Sequence, residues 1–370
     1  MSIRIEGSVS IGWMHHEYGF KADEDYYFAP EVRRQRICEM QDLVAHRFPD
    51  YELNFFESNL IDGNHWQRDM LGVGQIQPNL ITGVVAGSQF VIPGDKDPDI
   101  KITPLRELDA VGLKRLRKIK WEEVYPINMF LEQIDQLKAK YGDQYPIIPP
   151  LFWDPGGRAT IHGPITTAQK FMGERFFLEM IDNETFAHEF LDWIVDSYIY
   201  LCKLFTKRVG MEINGVHIGE CSGCMLGGDQ WEKFALPATQ KLIDELGPGR
   251  MHSCGQSTHL LEAFSRLDNM CCLNTGTHTS VAKARAIYGG DMPIEIAPDA
   301  KIFCFGTSDD MKAFVDESLD ENADGDIMFI YHLDQGYPET NVRALNDHLI
   351  ELGMAQPGRR HPASGTSTMD

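Results

Sequence analysis

The sequence predicts an α/β fold in which repeated β/α units close into one eight-stranded barrel behind an elaborated N-terminal segment. Three observations predict it. Short apolar runs alternate with amphipathic helices along the C-terminal two-thirds, the spacing of parallel strands joined by right-handed crossovers. The length of 370 residues suits a single barrel with insertions. Finally, Glu220, His252, Cys254, Asn274, His332 and Asp334 all fall at the C-terminal ends of the expected strands. In a barrel of this type that face carries the site.

The elements can be justified in order. Residues 30–48 have the periodicity of a helix, and Arg33, Arg34 and Arg36 on it read as a solvated face. A first strand is expected near residues 51–59, while the Pro- and Asp-rich stretch 91–105 reads as a loop or linker. Seven further apolar runs read as strands: 147–153, 213–218, 250–253, 270–274, 293–296, 302–305 and 326–332. The clearest helix spans about 185–209, where Phe186, Phe190, Ile194, Tyr198, Leu201 and Phe205 recur every three or four residues before Gly210. Others are expected at 229–246, ended by Gly247-Pro248, and at 309–319 and 339–352, with a new helix beginning near Thr258. The chain thus reads as one barrel domain over residues 1–355, of which 1–110 hold the elaboration and first strand, with a mobile tail at 356–370.

Composition narrows the function classes. The chain is 43% hydrophobic and 24% charged, as in an ordinary globular protein. Thirty-four Lys and Arg against 55 Asp and Glu give a net charge of −21, which opposes long-range attraction to nucleic acid or anionic lipid. The first residues lack a basic stretch followed by an uninterrupted apolar run, so a cytoplasmic protein is expected. Its eight cysteines, two of them adjacent at Cys271-Cys272, do not resemble a small secreted disulfide framework. Reduced thiols are the simpler reading.

The most informative segment is Arg250-Met251-His252-Ser253-Cys254-Gly255. Residues two apart on a strand point to the same side, so the His252 imidazole and the Cys254 thiolate can converge on one ion, and Zn²⁺ accepts both. By itself, His-x-Cys is a weak pattern. Cys221-Ser222-Gly223-Cys224 is a Cys-x-x-Cys that can join His252 and Cys254 in a closed structural zinc site. Glu220 is placed to act as acid, base or fourth ligand, or to cap the following turn. His217, inside a strand, reads as a satisfied core histidine. Asp154, Arg158 and His162 are candidates for a substrate anchor, and His15 and His16 for a substrate lid or an exposed surface.

Asn214-Gly215-Val216-His217-Ile218-Gly219-Glu220, then Asp229 to Pro237, then the His252 turn, resemble in order and spacing the uroporphyrinogen decarboxylase superfamily, specifically its cobalamin-dependent methyltransferase branch. Gly163-Pro164, Met172-Gly173, Phe305-Gly306-Thr307 with Asp309-Asp310, and Pro338 with Asn341 to Leu345 extend the likeness. It covers residues 147–352 well and the N-terminal third loosely.

The resemblance implies a (β/α)8 barrel in which Zn²⁺ is held by a His-x-Cys pair and a Cys ending the last strand. The pair maps onto His252 and Cys254. At the last strand His332 occupies, within one residue, the place of the expected Cys, with Asp334 and Tyr331 as groups that would orient it. A His₂Cys set carries one thiolate instead of two, which would make the metal a stronger Lewis acid and set the substrate apart from that of thiol-methylating members. The implied activity is zinc-dependent methyl transfer between a small molecule and a corrinoid. The cobalamin-loop pattern Asp-x-His-x-x-Gly is absent, so the corrinoid would arrive free or on a partner protein. Metal-independent decarboxylation is the alternative, with Glu220 or a His as proton donor, although the Arg-rich N-terminal signature of that branch is missing. A third reading is a non-catalytic corrinoid- or ligand-binding barrel.

Overall fold

A computed structural model describes residues 3–51, 53–55, 69–153, 155–276 and 278–354. Asp154, the part of the expected strand 51–59 beyond Phe55, and the expected tail at 356–370 lie outside them. Eight strands form one sheet: β1 (Ile3–Val9), β2 (Leu53–Phe55), β3 (Arg158–His162), β4 (Gly215–Gly219), β5 (Gly249–Ser253), β6 (Met270–Gly276), β7 (Ile294–Ala297) and β8 (Ile327–Leu333). Every ladder is parallel, in the order β2-β1-β8-β7-β6-β5-β4-β3. This is the order of an eight-stranded barrel cut between β2 and β3. Among the described residues no ladder joins those two edges, so what is established is a curled parallel sheet of barrel type.

The two faces of the sheet differ in chemistry. Val216, Ile218, Met251, Leu273, Ile294, Ile296, Phe329 and Leu333 are buried, and the hydrophobic core is built on them together with the surrounding helices. Their strand neighbours on the opposite face are polar: Ser8, His217, Arg250, His252, Asn274, Glu295 and His332. Registered pairs bring these polar residues side by side, with Gly219 opposite His252, His252 opposite Asn274, Asn274 opposite Glu295 and Ser8 opposite His332. The polar face is therefore one continuous surface.

The crossovers carry the helices. Glu184–Val209 ends where Gly210 takes the left-handed conformation (φ 85°) and its N–H reaches the Thr206 carbonyl at 2.8 Å, as its sequence predicts. The helix expected at 229–246 is broken into a short turn Gly228–Gln230, a π-helical turn Trp231–Ala235 and the α-helix Leu236–Leu246. Pro237 explains the break, because it has no N–H to continue the α-helical ladder. Ser308–Asn322 and Glu339–Glu351 lie where predicted, and Pro30–Arg47 matches the first helix.

Several expectations are corrected. Residues 302–305 are not a strand but part of the helix Ala300–Phe305, whose N-terminus is capped by Asp299 accepting from the Lys301 and Ile302 amides. The run 147–153 supplies only Ile147–Ile148, paired with Leu71–Gly72 outside the main sheet, because Pro149 and Pro150 cannot donate to a ladder; the strand of the main sheet is β3. β1 was not anticipated. The stretch 91–105, read as a loop, contains Asp99–Ile100 paired antiparallel with Phe90–Val91, and the short helix Thr103–Arg106. Arg33 is buried against the Tyr26 ring at 4.3 Å, so the three arginines are not a purely solvated face. Among the described residues no helix is long and apolar enough to cross a membrane, and no disulfide links the cysteines.

Candidate metal centre

β4 and β5 end side by side, and the Glu220 amide donates to the His252 carbonyl at 2.8 Å. This contact sets the 3-10 turn Cys221–Met225 against the end of β5. As a result, one ligand atom each of Cys221, His252 and Cys254 lies within 4.8 Å of the other two. Tetrahedral Zn–S bonds of about 2.3 Å and Zn–N bonds of about 2.0 Å place donors roughly 3.5–3.8 Å apart, so the three fit around one ion after a small adjustment. Cys221 and His252 are half-buried and Cys254 is exposed, which leaves an approach from solvent. The Cys221 thiol is held below its ordinary pKa chiefly by a hydrogen bond from Cys254, and the same contact pushes Cys254 up to about 12.

The donor set is thus two sulfurs and one imidazole. Its composition is the one that the family resemblance implied, but the second sulfur comes from the turn after β4. His332 is not among the three. It lies on β8 with its Nδ1 2.5 Å from the Ser8 hydroxyl, and Ser8 is its registered neighbour on β1. His332 is exposed by surface area yet surrounded by protein, as expected for a side chain on the concave face; that enclosure, with His252, lowers its pKa to about 4. Its expected orienting groups turn elsewhere: the Tyr331 hydroxyl accepts from Asn346 at 2.8 Å, and Asp334 accepts from Ser10 at 2.5 Å. The expectation of a single-thiolate site with enhanced Lewis acidity does not follow from the geometry of these three donors.

Glu220 is fully buried and committed to the N-terminus of the helix Pro164–Met172. It accepts from the Ile165 amide at 3.1 Å and from the Thr166 amide and hydroxyl, each at 2.7 Å. Burial raises its pKa to about 7 against the pull of these donors. Thr166 also accepts from the Ser222 amide at 3.0 Å, so the Glu220–Thr166 clamp fixes the turn that carries Cys221.

Behind His252 lies a buried polar network that the sequence reading did not assemble. His252 Nδ1 meets Asn274 Oδ1, and the Asn274 amide donates to Glu295 at 2.5 Å. Glu295 is paired with Arg250, whose other arm reaches His217 Nδ1 at 2.6 Å. Burial alone would raise the Glu295 pKa, but Arg250 and the hydrogen bonds outweigh it and hold the carboxyl low. A network of this kind orients a metal-binding histidine. Of the proposed substrate anchors, Arg158 and His162 lie on β3, and His162 Nδ1 is buried without a hydrogen-bond partner. His15 contacts the Phe20 carbonyl at 2.8 Å and His16 is exposed.

Comparison with known proteins agrees with the fold. Residues 80–349 match the family model described as uroporphyrinogen decarboxylase (URO-D). The chain is 28% identical over 144 residues to a methylcobamide:CoM methyltransferase of Methanosarcina acetivorans, covering 38% of this chain and 39% of that protein. It is 27% identical over 190 residues to the corresponding protein of Methanosarcina mazei, covering 50% of this chain and 53% of that one. The matched regions span about half or less of these relatives' length. A solved methyltransferase from Methanosarcina mazei superposes with a TM-score of 0.59 at 16% identity, covering 95% of this chain and 94% of the other, which supports the shared fold. With 270 of its residues matched by one family model, this chain belongs to the uroporphyrinogen decarboxylase family.

Proposed function

We propose that this protein is a methyltransferase that moves a methyl group between a small molecule and a corrinoid, with zinc held by Cys221, His252 and Cys254. The convergence of two thiols and an imidazole within 4.8 Å at the ends of β4 and β5 carries this reading. The named relatives are methylcobamide:CoM methyltransferases, which favours a thiol as the methyl acceptor or donor and a corrinoid as the other party. On this reading the sheet closes as a (β/α)8 barrel in one domain. The corrinoid comes free or on a partner protein that docks over the strand ends.

When bound, zinc supplies a Lewis acid that stabilises negative charge on a substrate heteroatom. The residues of the chain do the rest. Three protein donors leave a fourth position for substrate, as in catalytic sites and unlike closed structural ones. Exposed Cys254 marks the open side. Glu220 serves as a positioning group: both its oxygens accept from the start of the helix Pro164–Met172, and through Thr166 it holds the turn bearing Cys221.

Elemental analysis of purified protein tests the reading. Wild type should carry stoichiometric zinc; Cys221→Ser and the double variant His252→Ala, Cys254→Ala should lose it, and His332→Ala should keep it. Loss in His332→Ala with retention in Cys221→Ser would restore the last-strand ligand and refute the set proposed here. With cob(I)alamin and a methylated thiol, loaded wild type should form methylcobalamin, seen by absorbance. Zinc without any such turnover would favour the non-catalytic barrel, and turnover of a carboxylated compound by metal-free protein the decarboxylase.

A further inference from the structure

The buried network behind the metal centre specifies more than the position of one ring. Arg250 carries only donors, so His217 Nδ1, 2.6 Å from Nη1, must accept and the His217 proton must reside on Nε2. On its other side Arg250 keeps Glu295 ionised, and a carboxylate only accepts. The Asn274 NH₂ must therefore face Glu295, its Oδ1 must face His252, and His252 Nδ1 must carry the proton. The lone pair of His252 is left on Nε2.

We propose that Arg250, Glu295 and Asn274 set opposite tautomers on two neighbouring imidazoles, making His252 a metal ligand through Nε2 and His217 a hydrogen-bond donor to the substrate. This rests on the metal-centre reading above and deepens it. The two rings lie 5.8 Å apart between centroids. His217 Nε2 and His252 Cδ2 both approach the space left by the missing side chain of Gly219, at 3.9 and 4.0 Å from where its Cβ would be. A substrate atom beside the metal is thus within reach of the His217 N–H. Next to His217 in register, Thr160 Oγ1 is a buried polar atom without a partner, and His162 Nδ1 farther along β3 is another. Unpaired buried polar atoms are costly and call for a ligand or water. The substrate that fits is one with an accepting heteroatom: a thiolate, a carboxylate or an ether oxygen.

The test separates the two halves of the proposal from the site itself. Zinc affinity is measured by competition with a chromophoric chelator on full-length protein, for variants whose melting stays close to wild type. Asn274→Ala should bind zinc about 10–100-fold more weakly, the usual effect of removing an outer partner of a metal-bound histidine. Glu295→Gln, which keeps an acceptor for Asn274, should lose less and serves as the second variant. His217→Leu should retain zinc affinity but bind 2-mercaptoethanol about 3–10-fold more weakly, read from the thiolate-to-metal band of cobalt-substituted protein, with partial recovery in His217→Gln. Zinc binding unchanged in Asn274→Ala and Glu295→Gln would overturn the ligand half, and thiol binding unchanged in His217→Leu the donor half. Wild type that takes up neither zinc nor cobalt would instead refute the metal-centre reading, and this proposal with it.

Discussion

Gly163 shows how closely single residues constrain the site. A Cβ there would lie 2.1 Å from Glu220 Oε2 and 2.4 Å from its carboxyl carbon, so even alanine must displace the carboxylate from the helix terminus. Gly163→Ala should therefore cost roughly 1–3 kcal/mol, the penalty for disturbing a buried hydrogen-bonded group, read as a lower urea midpoint. A midpoint equal to wild type would mean that the clamp tolerates movement. Zinc content should fall in parallel, because the same clamp fixes Cys221. This layer was partly legible in the sequence. His252 and Cys254 were readable as a pair because strand periodicity places them together, and Cys221 because Cys-x-x-Cys spacing draws attention. Which cysteine joins them depends on the register of β4 against β5, and periodicity carries no register information. His332 was drawn in by its place at a strand end and by the family resemblance, and its Ser8 partner is 324 positions away.

At the scale of elements, helices were easier to read than strands because each carries its own signals. Thr307 is an example: its hydroxyl accepts from the Asp310 amide, and the Asp310 carboxylate accepts from the Thr307 amide at 2.7 Å, a capping box that starts Ser308–Asn322. Thr307→Ala should lower stability by about 0.5–2 kcal/mol while leaving metal content unchanged; a simultaneous loss of zinc would show that this helix also supports the site. β1 was missed although its sequence, IRIEGSV, alternates apolar Ile3, Ile5 and Val9 with polar Arg4, Glu6 and Ser8, because so short a run with few apolar residues does not stand out as a strand. The four-residue apolar run at 302–305 was misassigned for the converse reason: it is apolar enough for a strand, yet Asp299 directs it into a helix. β3 was missed because the more apolar run before it drew the assignment, although the two prolines there end its ladder after Ile148.

Across the whole molecule, polar groups line one face of a sheet whose other face is core, and this arrangement gives stability an unusual pH dependence. Burial, with His252 and Lys170, lowers His162 to about 4 from an ordinary 6.5. Between these values the unfolded chain binds a proton that the folded chain refuses, so His162 makes stability fall as pH drops from 6.5 to 4. Glu220 works the other way. Its folded value of about 7 exceeds the ordinary 4.5, so between pH 7 and 4.5 the folded chain binds the additional proton and stability rises on acidification. The two contributions oppose each other between pH 6.5 and 4.5. Depressed carboxylates such as Asp23, held low by Arg36, add a loss only at lower pH. Glu220→Gln removes the counterweight, and the variant should lose stability more steeply than wild type between pH 7 and 5, measured as urea midpoints at three pH values. Parallel profiles for the two proteins would show that Glu220 keeps its charge in the fold, which would move it from helix cap held near neutrality to a permanent negative charge beside the cysteine turn.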